Sequence, residues 1–144
     1  MFPVMIAYNT EHDKSSSSLL YNAVRQADCT PYQVNSVSES IEVLRQQKPA
    51  ILIVGATFDG SNVLDMIPIF RHLQKDIKII LLADSASEGF LRQARAAGIF
   101  YHALEPRDAE DSQELQLALQ CAKEASLKRT QGVWQRLTPM FGAR

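Results

Sequence analysis

The apolar residues of this chain fall into five short runs that are separated by longer amphipathic stretches. The runs occupy residues 4–8, 32–37, 50–55, 77–83 and 100–104. The third and fourth runs contain the unbroken apolar sequences AILIV and IILL. Such runs predict strands that are covered on both faces, as in a parallel sheet between two layers of helices. The second run alternates more, which is typical of a strand at the edge of a sheet.

The stretches between these runs predict helices, because their apolar residues recur at intervals of three and four. The predicted helices cover residues 18–27, 39–47, 87–97 and 115–127. Ser85 and Glu88 have the spacing of a capping box, and so do Asp111 and Glu114. We therefore expect the last two of these helices to begin near Ser85 and Asp111.

A further helix is predicted over residues 63–74, but Pro68 lies in its middle. A proline in a helix interior removes a backbone hydrogen bond and costs about 3 kcal/mol. We therefore expect this helix to begin late, with Pro68 in its first turn and residues 58–62 in a loop. A kink at Pro68 is the alternative.

The elements follow the order βαβαβαβαβα, which predicts right-handed crossovers and parallel strands. We predict an α/β fold, a three-layer αβα sandwich around a five-stranded parallel sheet in the flavodoxin-like order 2-1-3-4-5. The last helix is expected to end near Arg129, since Gly132, Pro139 and Gly142 interrupt the pattern after it. Residues 1–129 are therefore predicted to form one domain, and residues 130–144 a tail or linker.

Composition and charge narrow the classes of function. The chain has 144 residues and a formal net charge of -1, and its mildly acidic body does not look like a nucleic-acid-binding domain. No apolar run approaches the ~20 residues of a membrane helix. Cys29 and Cys121 lie far apart and form no metal-binding or disulfide pattern. We therefore expect a cytoplasmic protein with reduced cysteines.

A family resemblance is clearest around the last apolar run. Residues 97–106, AGIFYHALEP, are similar to the segment Ala-Gly-Ala-x-Gly-Tyr-Leu-x-Lys-Pro of the receiver domain of two-component response regulators. Residues 49–55, PAILIVG, resemble the receiver strand that ends in the phosphoacceptor aspartate. Residues 78–84, KIILLAD, resemble the strand that ends in Thr-Ala. The resemblance extends from about residue 4 to about residue 128.

The resemblance implies a phosphorylation site at the carboxyl ends of the strands. In receivers an acidic pair and an aspartate hold magnesium, the same aspartate takes the phosphoryl group, and a hydroxyl and a lysine bind its oxygens. The corresponding positions here are Tyr8 and Asn9 for the acidic pair, Gly55 for the phosphoacceptor, Ala83 for the hydroxyl and Glu105 for the lysine. All five depart from the family pattern.

These departures remove the chemistry of phosphorylation. Magnesium prefers carboxylate oxygens, and an aspartyl phosphate needs a carboxylate nucleophile. Glu105 would also meet a phosphoryl group with a like charge. We therefore predict a phosphorylation-independent pseudo-receiver that acts by protein contact in bacterial signal transduction. It is expected to be no enzyme and to use no catalytic residue, metal or cofactor.

Two other functions stay open. One is an atypical receiver that is phosphorylated on a substitute aspartate, Asp59 or Asp84. The other is a flavodoxin-like domain that binds a small molecule, although no glycine-rich loop follows the first strand. We favour the pseudo-receiver over both.

Other polar residues near the predicted site have simple interpretations. Asp59 precedes a glycine and is interpreted as part of a turn. Ser85 is a candidate for the missing hydroxyl, but we favour a helix cap. Glu11, His12 and Asp13 form a cluster with metal-binding side chains, which we interpret as a solvated loop.

The resemblance also implies a surface for protein contact. Tyr101 and His102 correspond to the switch region on the fifth strand, and Phe90, Leu91 and Arg95 lie on the fourth helix beside it. We expect a protein partner on the face of the fourth helix, fifth strand and fifth helix, with a homodimer as the specific prediction. No nucleic-acid or membrane partner is expected. We interpret His102 as a partly buried, hydrogen-bonded histidine.

The turn after the fifth strand carries a further implication. Glu105 and Pro106 correspond to a Lys-Pro pair whose peptide bond is typically cis in receivers. We therefore expect a cis bond before Pro106. Retention of this proline indicates that the turn is kept although the lysine is lost.

Overall fold

We describe a computed structural model of the chain over residues 2–8 and 14–137, with side chains over residues 2–8 and 18–127. Strands and helices alternate, except for a small hairpin after the third strand. In chain order the elements are β1 Phe2–Ala7, α1 Lys14–Gln26, β2 Cys29–Gln33, α2 Val37–Gln46, β3 Ile51–Gly55, β4 Thr57–Phe58, β5 Ser61–Asn62, α3 Val63–Leu73, β6 Lys78–Leu82, α4 Glu88–Ala97, β7 Tyr101–Ala103 and α5 Ala109–Leu137.

Five of these strands form one sheet in the order β2-β1-β3-β6-β7, and all neighbouring pairs are parallel. Since β6 and β7 are the fourth and fifth strands of this sheet, the predicted flavodoxin-like order is confirmed. Ile53 of β3 lies opposite Ile6 of β1 and Ile80 of β6. Every residue of β3 is buried, as its unbroken apolar sequence predicts.

The sheet separates two hydrophobic cores. Ile51 and Ile53 point into the core under α1 and α5. Leu52 and Val54 point into the core under α2, α3 and α4. Alternate side chains of a strand point to opposite faces of a sheet, so one apolar run supplies both cores. The predicted three-layer sandwich is therefore confirmed.

The edge strand β2 begins and ends earlier than predicted. It covers Cys29–Gln33 instead of residues 32–37. Pro31 lies in the middle of β2 and obscures the strand pattern, because proline has no N–H to donate to a neighbouring strand. Proline is tolerated here since β2 has only β1 as a neighbour, and the predicted edge position is confirmed.

Helix α3 does not begin late, and the prediction that placed Pro68 in its first turn is wrong. The helix begins at Val63, where Asn62 Oδ1 accepts the Leu64 N–H at 2.9 Å. Pro68 lies inside the helix and is exposed, whereas Ile67 and Phe70 are buried. Burial of the apolar face and the asparagine cap therefore outweigh the hydrogen bond that the proline removes.

The segment before α3 is also more ordered than the predicted loop. Strands β4 and β5 form a short antiparallel hairpin. Asp59 and Gly60 make its turn, with φ of 54° and 75°. Two consecutive residues with positive φ are typical of a two-residue hairpin turn. The interpretation of Asp59 as a turn residue is confirmed.

The helix caps lie beside the predicted ones. Ser87 Oγ accepts the Phe90 N–H at 3.1 Å, so Ser87 and not Ser85 caps α4. Asp108 Oδ1 accepts the Asp111 N–H at 2.9 Å at the start of α5. Both capping-box predictions are wrong, because the spacing of two residue types does not distinguish Ser85 from Ser87 or Asp111 from Asp108 as the cap.

Helix α5 continues to Leu137 and does not end near Arg129. One glycine in a helix costs only about 0.5–1 kcal/mol relative to alanine, which is too little for Gly132 to end the helix. The interpretation of residues 130–144 as a tail or linker stays a prediction. Among the described helices, α5 included, none has the length and hydropathy to span a membrane.

Candidate functional site at the carboxyl edge of the sheet

The predicted site residues converge where the parallel strands end. Tyr8 follows β1, Gly55 ends β3, Ala83 follows β6 and Glu105 follows β7. Because β1, β3, β6 and β7 are consecutive neighbours in the sheet, these residues share one edge. Asn9 lies outside the described residues. The sequence therefore predicts the location of the crevice correctly.

Tyr8 fills the part of this crevice that lies over Gly55. A β-carbon added to Gly55 would lie 3.1 Å from Tyr8 Cδ2 and 3.3 Å from Tyr8 Cε2. Such distances are shorter than ordinary van der Waals contact, so a side chain at residue 55 would push the ring away. The aromatic ring and the missing side chain are thus complementary.

The environment of the Tyr8 side chain favours the protonated hydroxyl. Burial, hydrogen bonding to the Glu105 carboxylate and the nearby negative charges of Glu105 and Asp84 raise the pKa of Tyr8 well above its usual value. The hydroxyl therefore keeps its proton at physiological pH and remains a donor.

Asp84 holds the segment after β7 against the segment after β6. Its Oδ1 accepts the Glu105 N–H at 2.8 Å, and its Oδ2 forms an ion pair with Arg107. The Ala83 N–H also donates to the Ala103 carbonyl at 3.1 Å. Arg107 was not predicted as a site residue, since nothing in its sequence position relates it to Asp84.

His102, in β7, also contacts the segment that follows β6. Its Nε2 lies 2.7 Å from the Ala83 carbonyl oxygen, which requires Nε2 to be the protonated nitrogen. The ring is half-buried. The prediction of a partly buried, hydrogen-bonded histidine is confirmed.

The prediction of a cis bond before Pro106 is wrong. Within residues 2–8 and 14–137 every peptide bond is trans. The trans form is favoured by about 0.5–1 kcal/mol even before proline. Since Asp84 already fixes Glu105 and Arg107 on either side of Pro106, the turn is held by side-chain contacts.

Asp59 lies beside the crevice but is engaged elsewhere. Its Oδ2 accepts the Val37 N–H at 3.0 Å, which satisfies a free backbone donor at the start of α2. The hairpin turn and this hydrogen bond together fix the carboxylate. Asp59 therefore has a structural role in connecting the hairpin to α2.

Two cavities open at this edge. One, of about 370 Å³, is lined by Tyr8, Gly55 and the β4–β5 hairpin. The other, of about 470 Å³, is lined by Ala83 to Ser87 together with Ala56 and Phe90.

Among the described residues, no three metal-binding side chains of His, Cys, Asp or Glu come together. Glu11, His12 and Asp13 lie outside the described residues.

The predicted contact surface combines half-buried and exposed residues. Phe90 and Leu91 are half-buried against the core, whereas Arg95 and Tyr101 are exposed. Large apolar side chains are also exposed beside β7 and on α5: Phe100, Leu104 and Leu117, the last of them 67% exposed. The Tyr101 hydroxyl donates to Glu114 Oε1 at 3.4 Å, which connects β7 with α5.

No protein-family model matches the chain, and no curated protein matches it in sequence. Solved structures do match it. A response-regulator receiver domain from Clostridium thermocellum has a TM-score of 0.72 at 11% identity, over 88% of this chain and 97% of the other. A putative response regulator from Chloroflexus aurantiacus has a TM-score of 0.70 at 18% identity, over 84% of this chain and 96% of the other.

A third match is the receiver domain of NtrC4, described as a beryllofluoride-activated dimer. It has a TM-score of 0.73 at 14% identity, over 87% of this chain and 98% of the other. The chain therefore has the fold of the response-regulator receiver domains.

Proposed function

We propose that this domain is a phosphorylation-independent module of receiver fold that regulates partners by protein contact in bacterial signal transduction, without enzymatic activity. The observation that carries the proposal is the placement of Tyr8 over Gly55. A side chain at residue 55 would press against an aromatic ring. Glu105, a carboxylate, follows β7 where a phosphoryl group would need a cation.

The two substitute aspartates support this proposal, because both carboxylates are already engaged. Asp84 binds the Glu105 N–H and the Arg107 guanidinium. Asp59 binds the Val37 N–H at the start of α2. Phosphorylation of either residue would break a contact that fixes the backbone of the crevice.

The exposed apolar residues beside β7 support the assignment of a partner surface. Tyr101 is 40% exposed, Leu104 43% and Leu117 67%, and the three lie at the edge of the sheet or on α5. Contiguous exposed apolar patches are typical of protein contact sites, and Tyr101 contacts α5 through Glu114. The receiver of NtrC4, which has the same fold, is described as a dimer. We propose a homodimer through the face formed by α4, β7 and α5.

The crevice is mechanically coupled to that face. Asp84 and His102 connect the segment after β6 to β7 and the residues that follow it. Glu105, in the segment after β7, is also close enough to Tyr8 to raise its pKa. These contacts hold β7 in one arrangement, so the face is available without a covalent modification.

Incubation with magnesium and a small-molecule phosphodonor, followed by intact mass measurement, tests the proposal. We expect no phosphoryl adduct on the wild-type chain and the same dimer fraction in light scattering before and after treatment. A mass increase of one phosphoryl group that is lost in alkali, as expected of an aspartyl phosphate, would contradict the proposal. The variants Asp59→Asn and Asp84→Asn would then identify the acceptor by loss of that adduct.

A further inference from the structure

Three helices, α2, α3 and α4, lie side by side on one face of the sheet and form what we call the α2–α4 layer. They contain 10, 11 and 10 residues, and each runs from the carboxyl edge of the sheet back to the amino edge. Contacts of α3 with both α2 and α4 hold the layer together. Because the three lengths match, the layer has two nearly flat ends, one at each edge of the sheet.

The end of the layer at the carboxyl edge is acidic. Exposed acidic side chains lie near the start of all three helices and in the β4–β5 hairpin: Glu39, Asp65, Glu88 and Asp59. Asp84 also lies at this edge, but its charge is paired with that of Arg107. Within residues 34–97, which the structure describes, no lysine or arginine lies at this end.

The end of the layer at the amino edge is basic. Exposed basic side chains lie in the last turn of α2 or α4, or just after α2 or α3: Arg45, Arg95, Lys48 and Lys75. Asp76 is an exposed acidic residue at the same end. Charges so placed stabilise each helix through its dipole. Since three helices begin and end together, they also give the layer two ends of opposite sign.

Helix α5 restricts what can approach the amino edge on the other face of the sheet. Lys123 Nζ donates to the Ala27 carbonyl at 2.9 Å, at the end of α1, and α5 continues from there to Leu137. At 1.5 Å per residue this continuation is about 20 Å long. A large partner at the amino edge therefore has room over the α2–α4 layer and not beside α5.

A second copy of the chain fits the basic end when it is rotated by half a turn about the strand direction and shifted along it. The acidic end of its α2–α4 layer then lies on the basic end of the first copy. Its sheet and its α5 lie on the side away from the first α5. The half turn reverses the order of the helices, so Asp65 of the second copy lies over Lys75 of the first, and Glu88 lies over Arg45.

We infer that copies of this chain associate end to end, with the acidic end of the α2–α4 layer of one copy on the basic end of the next. Opposite charges meet at all three helices, the third pair being Glu39 and Arg95, and this complementarity fixes the orientation of the contact. Each assembly keeps one unused acidic end and one unused basic end. A heterologous contact that does not close produces an open filament.

The inference goes beyond the proposed function and does not depend on it, because the end-to-end contact leaves β7 and α5 uncovered. Sedimentation equilibrium of the full chain over a range of concentrations and salt provides the first test. The screening length falls from about 30 Å at about 10 mM salt to about 3 Å at about 1 M salt. We expect the weight-average mass to rise with concentration beyond that of a dimer at low salt, and this growth to disappear at high salt.

A weight-average mass that levels off at that of a monomer or a dimer in about 10 mM salt would overturn the inference. Levelling at the mass of a dimer would leave the proposed homodimer intact. The two association modes are therefore distinguished by whether growth stops.

Two charge-reversal variants test the two ends separately. One carries Arg45→Glu and Lys75→Glu and has two acidic ends, and the other carries Asp65→Lys and Glu88→Lys and has two basic ends. Each variant alone brings like charges together, so we expect its end-to-end association to weaken at least about tenfold. In an equimolar mixture the two variants can alternate, and growth should return to nearly the wild-type level.

Glu42→Lys is the control, because Glu42 is exposed in the middle of α2 and away from both ends of the layer. It should leave the growth of the wild-type chain unchanged. Growth that neither reversal weakens, or that the mixture does not restore, would overturn the end-to-end contact. Restoration in the mixture also shows that both variants fold, and the salt series on the wild-type chain tests the contact without any substitution.

Discussion

The ring of Tyr8 lies so close to Gly55 that a β-carbon at residue 55 would sit 3.1 Å from Tyr8 Cδ2. Two departures from the receiver pattern, one just after β1 and one at the end of β3, are therefore a single structural feature. The ring packs closely against the glycine, and a larger residue 55 would force the ring to shift. Reversing one of them without the other should disturb the fold.

Substitution of Gly55 by alanine should show this dependence. We expect Gly55→Ala to lower the free energy of unfolding by about 1–3 kcal/mol, since the added methyl group overpacks a buried site. In a Tyr8→Ala background the same substitution should cost much less. Urea denaturation of the four chains of this double-mutant cycle measures the coupling between the two positions.

Gly89 provides the control for this cycle, because nothing lies within 4 Å of a β-carbon added there. Gly89→Ala should be neutral or should stabilise α4 by up to about 1 kcal/mol. Equal costs of Gly55→Ala in the wild-type and Tyr8→Ala backgrounds would show that the ring and the glycine are independent.

The raised pKa of Tyr8 predicts a loss of stability in alkali. The ordinary tyrosine pKa is 10.0, and burial and Glu105 raise it in the folded chain. The unfolded chain therefore releases this proton at a lower pH than the folded chain. The contribution of Tyr8 is fully present below pH 10.0 and is lost as the pH rises above it.

Tyr8→Phe should consequently flatten the decline of the free energy of unfolding above that pH. Tyr32, which is 41% exposed, gives the comparison, and Tyr32→Phe should leave the slope unchanged. Identical alkaline slopes for wild type and Tyr8→Phe would contradict a raised pKa of Tyr8 in the folded chain. Chemical denaturation at a series of alkaline pH values supplies both slopes.

The role of Asp59 predicts a difference between two substitutions. Asp59→Ala removes the acceptor for the Val37 N–H and places alanine at a φ of 54°. Together these effects should cost about 1–2 kcal/mol. Asp59→Asn keeps an oxygen acceptor and tolerates positive φ, so its cost should be smaller.

Thermal and urea unfolding distinguish these outcomes. The control is Glu42→Ala, at an exposed position of α2, which should keep the free energy of unfolding within about 0.5 kcal/mol of wild type. Equal costs for Asp59→Asn and Asp59→Ala would indicate that the negative charge, which both substitutions remove, matters more than the oxygen acceptor and the positive φ. That outcome would contradict the role of Asp59 as a turn and capping residue.

The end of α4 should be similarly sensitive. Gly98 has a φ of 112°, and its added β-carbon would lie 2.9 Å from the Arg71 guanidinium. The Arg71 Nη1 also donates to the Gly98 carbonyl at 3.1 Å. Gly98→Ala should therefore destabilise the chain by more than about 1 kcal/mol. Gly98→Ala in an Arg71→Ala background should cost less, because only the backbone strain remains.

The sequence predicts the sheet order and the place of the crevice because both depend on strong local patterns. The unbroken apolar run of β3 identifies a central strand, and the alternation of elements then orders the others. The ends of the strands follow directly from that order. The same order therefore predicts that one edge of the sheet carries Tyr8, Gly55, Ala83 and Glu105.

The contacts within the crevice could not be predicted, since they depend on side-chain directions across the fold. The Asp84 contact with Arg107 joins residues on different segments, and no spacing in the sequence indicates it. The predictions of caps at Ser85 and Asp111 were wrong for a different reason. Neighbouring residues have similar capping ability, and packing of the helix chooses between them.

A titration with magnesium and beryllofluoride, a mimic of the phosphoryl group, followed by amide NMR distinguishes a crevice that excludes this group from one that binds it. We predict that the resonances of Tyr8, Gly55, Ala83 and Glu105 do not move. Saturable shifts at Gly55, or at Asp59 or Asp84, would contradict the account.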